Sequence, residues 1–218
     1  MLKRFVFLLV PLVFCSCSTD PWKNVPDFEV SNFECPVPGG KFLDDGNFVS
    51  SWSVLGPIDP GKTPSIHTEY TYDEALLNGN RTAPRGARWY RAGAGGDNAT
   101  EAGQVNFSSR FDKNPKAMSR SVFYACATLK CSKEYQGLVL HVLGCGQLKI
   151  WINGTIVYSC EKGSPGMNAE PVKVGSVMLS RGCNRIVVKY LDDGKDFLKR
   201  RVFSLRFTDS AGNLSLVR

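Results

Sequence analysis

Histidine is scarce in this 218-residue chain: His67 and His141 are the only two. His67 lies in a polar stretch and His141 among alternating apolar residues, so a packing or surface role is expected for both. No H-E-x-x-H motif, nucleophile elbow or phosphate-binding loop occurs. Gly93-Ala94-Gly95-Gly96 lacks a Walker lysine and any βαβ pattern around it. Cys126 and Cys131 have no second close cysteine pair with which to build a zinc site. After Val25 no apolar run approaches the ~20 residues that a spanning helix needs. No nucleic-acid-binding motif accompanies the basic charge. These absences lead to the expectation of a non-enzymatic protein with no cofactor, no metal and no nucleic-acid partner. Asp44-Asp45 and Asp192-Asp193 read as turn residues rather than catalytic carboxylate pairs.

What is present is a basic, strand-forming chain. Lysine and arginine total 27 against 20 acidic residues, a formal net charge of +7. Basic residues cluster at Arg81, Arg85, Arg88 and Arg91, and again at Lys195, Lys199, Arg200 and Arg201. Outside the cytoplasm, such clusters are expected to be solvated loops with some attraction for anionic glycans or lipids. The length suffices for one β-domain with a real core.

The N-terminus supplies the cellular address. Lys3 and Arg4 precede an apolar run from Phe5 to Phe14, the pattern of an export signal. Phe14-Cys15-Ser16-Cys17 resembles the lipobox of bacterial lipoproteins, although Cys15 stands where an aliphatic or small residue is usual. The resemblance implies removal of residues 1–16, lipidation of Cys17, and anchoring in the cell membrane or outer membrane, since a multiply acylated cysteine anchors firmly. Residues 17–45 are expected to form a tether and peripheral segment, Pro- and Gly-rich around Cys35-Pro36-Val37-Pro38-Gly39-Gly40. Residues 46–218 are expected to form the folded domain.

That domain is organised around residues 148–158. Two strand-like runs meet at Asn153-Gly154, the preferred pair for a type I′ turn. A two-residue loop would set Ile152 opposite Thr155, Trp151 opposite Ile156 and Ile150 opposite Val157. Leu148, Ile150, Ile152 and Val157 would share the core face, and Trp151, Ile156 and Tyr158 the other. Cys160 would then fall opposite Gln147, close enough to Cys145 for a disulfide if Gly144 and Gly146 bend the strand. An exported chain permits disulfides, but the other pairings stay open.

Further strands are expected over residues 48–55, 104–107, 119–129, 137–143, 172–179, 185–191 and 202–208. Thr71-Tyr72-Asp73-Glu74 has the form of a capping box, predicting one short helix through Leu77. Many strands and one short helix argue for an all-β, antiparallel β-sandwich.

The chain resembles a family at this level. Trp52 with Gly56-Pro57, Tyr124, the Ile150-Trp151-Ile152-Asn153-Gly154 hairpin, Gly182-Cys183-Asn184 leading to Lys189, and a Phe-rich last strand occur in the order found in galactose-binding-like jelly-roll domains. Such domains occur in bacterial surface proteins and beside glycoside hydrolases. The resemblance spans roughly residues 45–217 and implies a jelly-roll fold with carbohydrate as one possible ligand. Acidic residues common before the hairpin strand in relatives are replaced here by Gly144-Cys145-Gly146. Trp89 and Tyr90, flanked by Arg88 and Arg91 in a Gly-rich stretch, are the expected binding residues, placed in a loop with at least one ring open to solvent. Trp52 and Trp151 are expected in packing. The expected partners are the membrane, through the lipid, and a glycan or another envelope component. The alternatives are an assembly protein that docks another protein on its sheet, or a divergent glycoside hydrolase.

Overall fold

The computed structural model describes residues 48–77, 84, 87–93, 103–107, 120–166, 168–192, 194 and 201–212. Cys17, the export signal and the tether lie outside the described residues. Nine strands are described: β1 Ser51–Ile58, β2 Arg88–Gly93, β3 Gln104–Asn106, β4 Ser121–Cys131, β5 Tyr135–Ile152, β6 Thr155–Pro165, β7 Val172–Leu179, β8 Gly182–Asp192 and β9 Val202–Thr208. Every pairing is antiparallel.

The architecture follows from one long strand that serves two layers. The first half of β5 pairs with β7 and β9, and the second half pairs with β6 and β8. The first sheet therefore runs β2-β1-β4-β8-β5-β6, and the second runs β7-β5-β9-β3. The sequence reading split β5 into two strands at Gly144-Cys145-Gly146. The chain does bend there, but the ladder continues through the bend. Gly146 has φ +92°, and a Cβ on it would lie 2.8 Å from the Tyr190 hydroxyl oxygen. Only glycine takes that conformation in that space.

The core fills the gap between the layers. Leu148, Ile150, Ile186, Val188 and Phe123 from the first sheet meet Leu140, Val142, Phe203, Leu205 and Phe207 from the second, all fully buried. Phe107 stacks on Phe123 with ring centroids 4.7 Å apart, and Trp52 meets Phe203 edge-on at 5.1 Å. Trp52 Nε1 donates to the Val49 carbonyl at 2.9 Å, so its one polar atom is satisfied.

The all-β sandwich is as expected, and β7 and β9 have the expected bounds. The type I′ turn is also present, with φ +52° at Asn153 and +82° at Gly154. The hairpin register holds only at its tip. Trp151 faces Ile156 and Ile152 faces Thr155, but a bulge then sets Ile150 opposite Tyr158 instead of Val157. Tyr158 is thereby carried to the core side, where it packs against the main cluster together with Val157. The same bulge places Cys160 opposite Leu148, and a second register shift between Gly146 and Leu148 places Cys145 opposite Pro165. The expected disulfide does not form, because the two cysteines are displaced along the ladder.

The expected helix is absent. Residues 72–76 form a single turn, closed by Leu77 N–H donating to the Asp73 carbonyl at 2.7 Å. Asp73 and Leu77 have φ of +49° and +51°, which stops helical propagation at both ends. Glu74 does not reach back to cap Thr71. Its carboxylate turns inward instead.

Candidate functional site

The inward turn of Glu74 belongs to a larger structure. The segment at residues 59–77 crosses the outer face of the first sheet and buries it. Ile66 and Leu77 from this segment pack with Leu55, Val122, Tyr124, Cys126, Trp151, Val187 and Leu191 in a second apolar cluster. Beneath the cover sits Lys189, fully buried in the middle of β8. Its Nζ donates to Glu74 Oε2 at 2.8 Å and to the Thr68 carbonyl at 2.5 Å. It also lies over the rings of Tyr70 and Tyr124, at 4.9 and 5.7 Å from their centroids.

Glu74 is satisfied on every side. The Tyr124 hydroxyl donates to Oε2 at 2.6 Å, and Lys149 Nζ stands 3.7 Å from Oε1. Burial, then the Glu74 charge, pushes the Tyr124 phenol far above its ordinary value, so it remains a donor. Burial lowers the Lys189 ammonium from its ordinary value, and Glu74 opposes that shift. Burial also pushes the nearby Cys126 thiol up to about 11, which makes it a poor nucleophile at neutral pH.

Further contacts fasten the cover. Tyr70 hydroxyl donates to the Ser65 carbonyl at 3.1 Å. The Arg185 guanidinium donates to the carbonyls of Leu76 and Leu77. His67 Nε2 meets Glu161 Oε1 at 2.7 Å, tying the cover to β6 in an exposed pair. Tyr72 is presented outward on this fixed turn, 83% exposed, between the inward-facing Thr71 and Glu74. A position directly above the hairpin tip follows for its neighbour Leu76, whose Cδ2 would lie 3.4 Å from a Cβ on Gly154.

Tyr72 was not singled out in the sequence. The capping-box form of Thr71-Tyr72-Asp73-Glu74 reads as a helix start, which hides the outward turn. The residues that were singled out lie elsewhere. Trp89 and Tyr90 are not in a loop but on β2, opposite Leu55 and Val54 of β1. Successive strand residues face opposite ways. Tyr90 enters the main core at 2% exposure, while Trp89 is half-buried against the second cluster. The two rings therefore cannot form one platform. Arg88 is half-buried opposite Gly56, and Arg91 pairs with Ser53. Trp52 and Trp151 are buried in packing, as expected.

The other buried carboxylate among the described residues, Asp192, is held by Arg201 at 2.6 Å. Among the described residues no group of three His, Cys, Asp or Glu side chains could hold a metal ion. No known protein family and no curated protein matches the sequence. Among solved structures, a β-glucosidase from Kluyveromyces marxianus in complex with glucose aligns over 74% of this chain and 17% of its own, with 10% identity and a TM-score of 0.41. A β-glucuronidase from Ruminococcus gnavus aligns over 66% of this chain and 21% of its own, with 16% identity and a TM-score of 0.42. A family 35 carbohydrate-binding module from Clostridium thermocellum aligns over 43% of this chain and 75% of its own, with 16% identity and a TM-score of 0.29. The chain thus spans about a fifth of either glycosidase. Likeness at this level carries no argument, and the fold stands on the strand pairing described above.

Proposed function

We propose that this protein is a non-enzymatic envelope lipoprotein, held to a membrane through Cys17, whose sandwich binds carbohydrate. The observation that supports glycan binding is Tyr72: a ring 83% exposed on a turn that buried groups fix from below. A sugar's apolar face stacks on such a ring without first ordering the loop, and preorganisation favours affinity. The state of the buried carboxylates supports a role without catalysis. Glu74 is engaged by Lys189 and Tyr124, and Asp192 by Arg201, so both serve as structural ties.

The test is a glycan array with the wild type and Tyr72→Ala. The variant is expected to weaken binding about tenfold, equivalent to ~1.4 kcal/mol, while the melting temperature moves by no more than about 2 °C, as for an ordinary surface substitution. Glycan binding that survives Tyr72→Ala unchanged removes this site. Anchoring is tested by fractionation: Cys17→Ala should leave the protein soluble or unprocessed, and a wild-type distribution contradicts the anchor.

A further inference from the structure

The outer face of the second sheet carries a row of basic and aromatic side chains. His141 on β5 is directly opposite Lys173 on β7 on one side and Arg206 on β9 on the other. Directly paired residues point to the same face, and here that face is the outer one, because Leu140 and Val142 beside His141 are fully buried in the core. Beyond Arg206 the row continues to Phe48, which bridges to it, with the guanidinium carbon 5.6 Å from the ring centroid. Strands lie ~4.8 Å apart, so Lys173 and Arg206 stand about 10 Å apart across the sheet. Lys173 is exposed, while His141, Arg206 and Phe48 are half-buried.

Among the described residues no carboxylate pairs with Lys173, His141 or Arg206. Arg206 Nε is buried and meets no acceptor among them. Elsewhere the chain neutralises its buried cations, as with Lys189 by Glu74 and Arg201 by Asp192. This row instead sets three cationic or protonatable groups side by side, against their mutual repulsion. Burial first, then the charges of Arg206 and Lys173, lowers the His141 pKa from its ordinary value.

We infer that the row Lys173–His141–Arg206–Phe48 is a binding site for a polysaccharide that bears carboxylate groups. The cations match carboxylates repeated along an extended chain, with Arg206 capable of a forked contact. The half-buried Phe48 ring at the end of the row matches the apolar face of a sugar, which distinguishes this ligand from a phospholipid headgroup. The site lies on the opposite layer from Tyr72 and does not rest on it.

The test titrates the full chain with polygalacturonate, with a neutral dextran, and with phosphatidylcholine vesicles containing phosphatidylglycerol. Polygalacturonate should bind, and its affinity should fall as salt shortens the screening length from about 10 Å at 0.1 M to about 3 Å at 1 M. Lys173→Gln, at an exposed position, should weaken binding about threefold, in the range of a single exposed ion pair. Lys173→Gln combined with Arg206→Gln should weaken it tenfold or more, while Tyr72→Ala leaves it unchanged. Equal binding of dextran, retention of affinity in both the single and the double variant, or binding of the anionic vesicles with none of polygalacturonate would each overturn the inference.

Discussion

Lys189 and Lys173 stand on the outer faces of the two layers, and they lead opposite lives. Lys189 is completely covered, with its charge answered by Glu74, the Thr68 carbonyl and two aromatic rings. Lys173 is exposed, and its paired neighbour across the ladder is His141. The difference comes from what crosses each face. Residues 59–77 lie over the first sheet and turn its polar side chains into ties. On the second sheet, Lys173 stays exposed at the end of the Lys173–His141–Arg206 row, with His141 and Arg206 half-buried. A strand lysine is thus structural or available according to its cover, not its place in the alternation.

The largest expected effect comes from breaking the tie under the cover. Glu74→Gln leaves Lys189 buried without its counter-charge, and removing one partner of a buried pair costs about 3–5 kcal/mol. Lys189 retains Thr68 and the two rings, so the lower end of that range is expected from urea unfolding. Replacing Glu74 and Lys189 together by methionine should recover part of the loss, because the fully buried lone charge is gone while Lys149 loses its counter-charge and Tyr124 its acceptor. A loss below about 1 kcal/mol for Glu74→Gln would mean that apolar contacts alone hold the cover.

A smaller effect is expected where β5 passes from one layer to the other. Gly146→Val forces a branched side chain into φ +92° and against Tyr190. Backbone strain of this kind costs of order 1–3 kcal/mol, read as a lower urea midpoint. An unchanged midpoint would show that the bend is not pinned at this residue.

The smallest effect separates the faces by pH. The charged groups facing His141 are Lys173 from β7 and Arg206 from β9, and its Nε2 lies 2.8 Å from Thr208 Oγ1. Its folded pKa is below the ordinary value of 6.5, so its stabilising contribution is present above that pH. That contribution is lost as pH falls through the folded pKa. His141→Gln should therefore flatten the acid limb of a melting-temperature profile between neutral pH and about pH 5. Bound polygalacturonate should reduce the acid sensitivity of the wild type. An acid limb identical in His141→Gln would assign it to other groups.

Local pattern made much of this fold legible. Period-two alternation located β7 and β9, and Asn153-Gly154 announced the turn. Alternation also placed Lys189 on the face of Val187 and Leu191, a hint of burial. Its partner Glu74 lies 115 residues away in a stretch that looks like a helix start, and no local period connects the two. The Trp89-Tyr90 reading failed for a related reason. Glycines and arginines suggested a loop, but two aromatic residues favour a pleated strand once β1 offers an edge. The bulge that moved Tyr158 and Cys160 depends on packing across the ladder, which two-residue periodicity does not record.

The contrast between the faces is tested most directly by lysine acylation of the native chain, followed by mass spectrometry. Lys173 should be modified at the rate of a free surface amine and be protected by polygalacturonate. Lys189 should resist until denaturant unfolds the protein, because its amine is enclosed by Glu74, Thr68, Tyr70 and Tyr124. Modification of both lysines at similar rates in native buffer would contradict the account, since it would mean that the cover over the first sheet leaves Lys189 as accessible as the exposed Lys173.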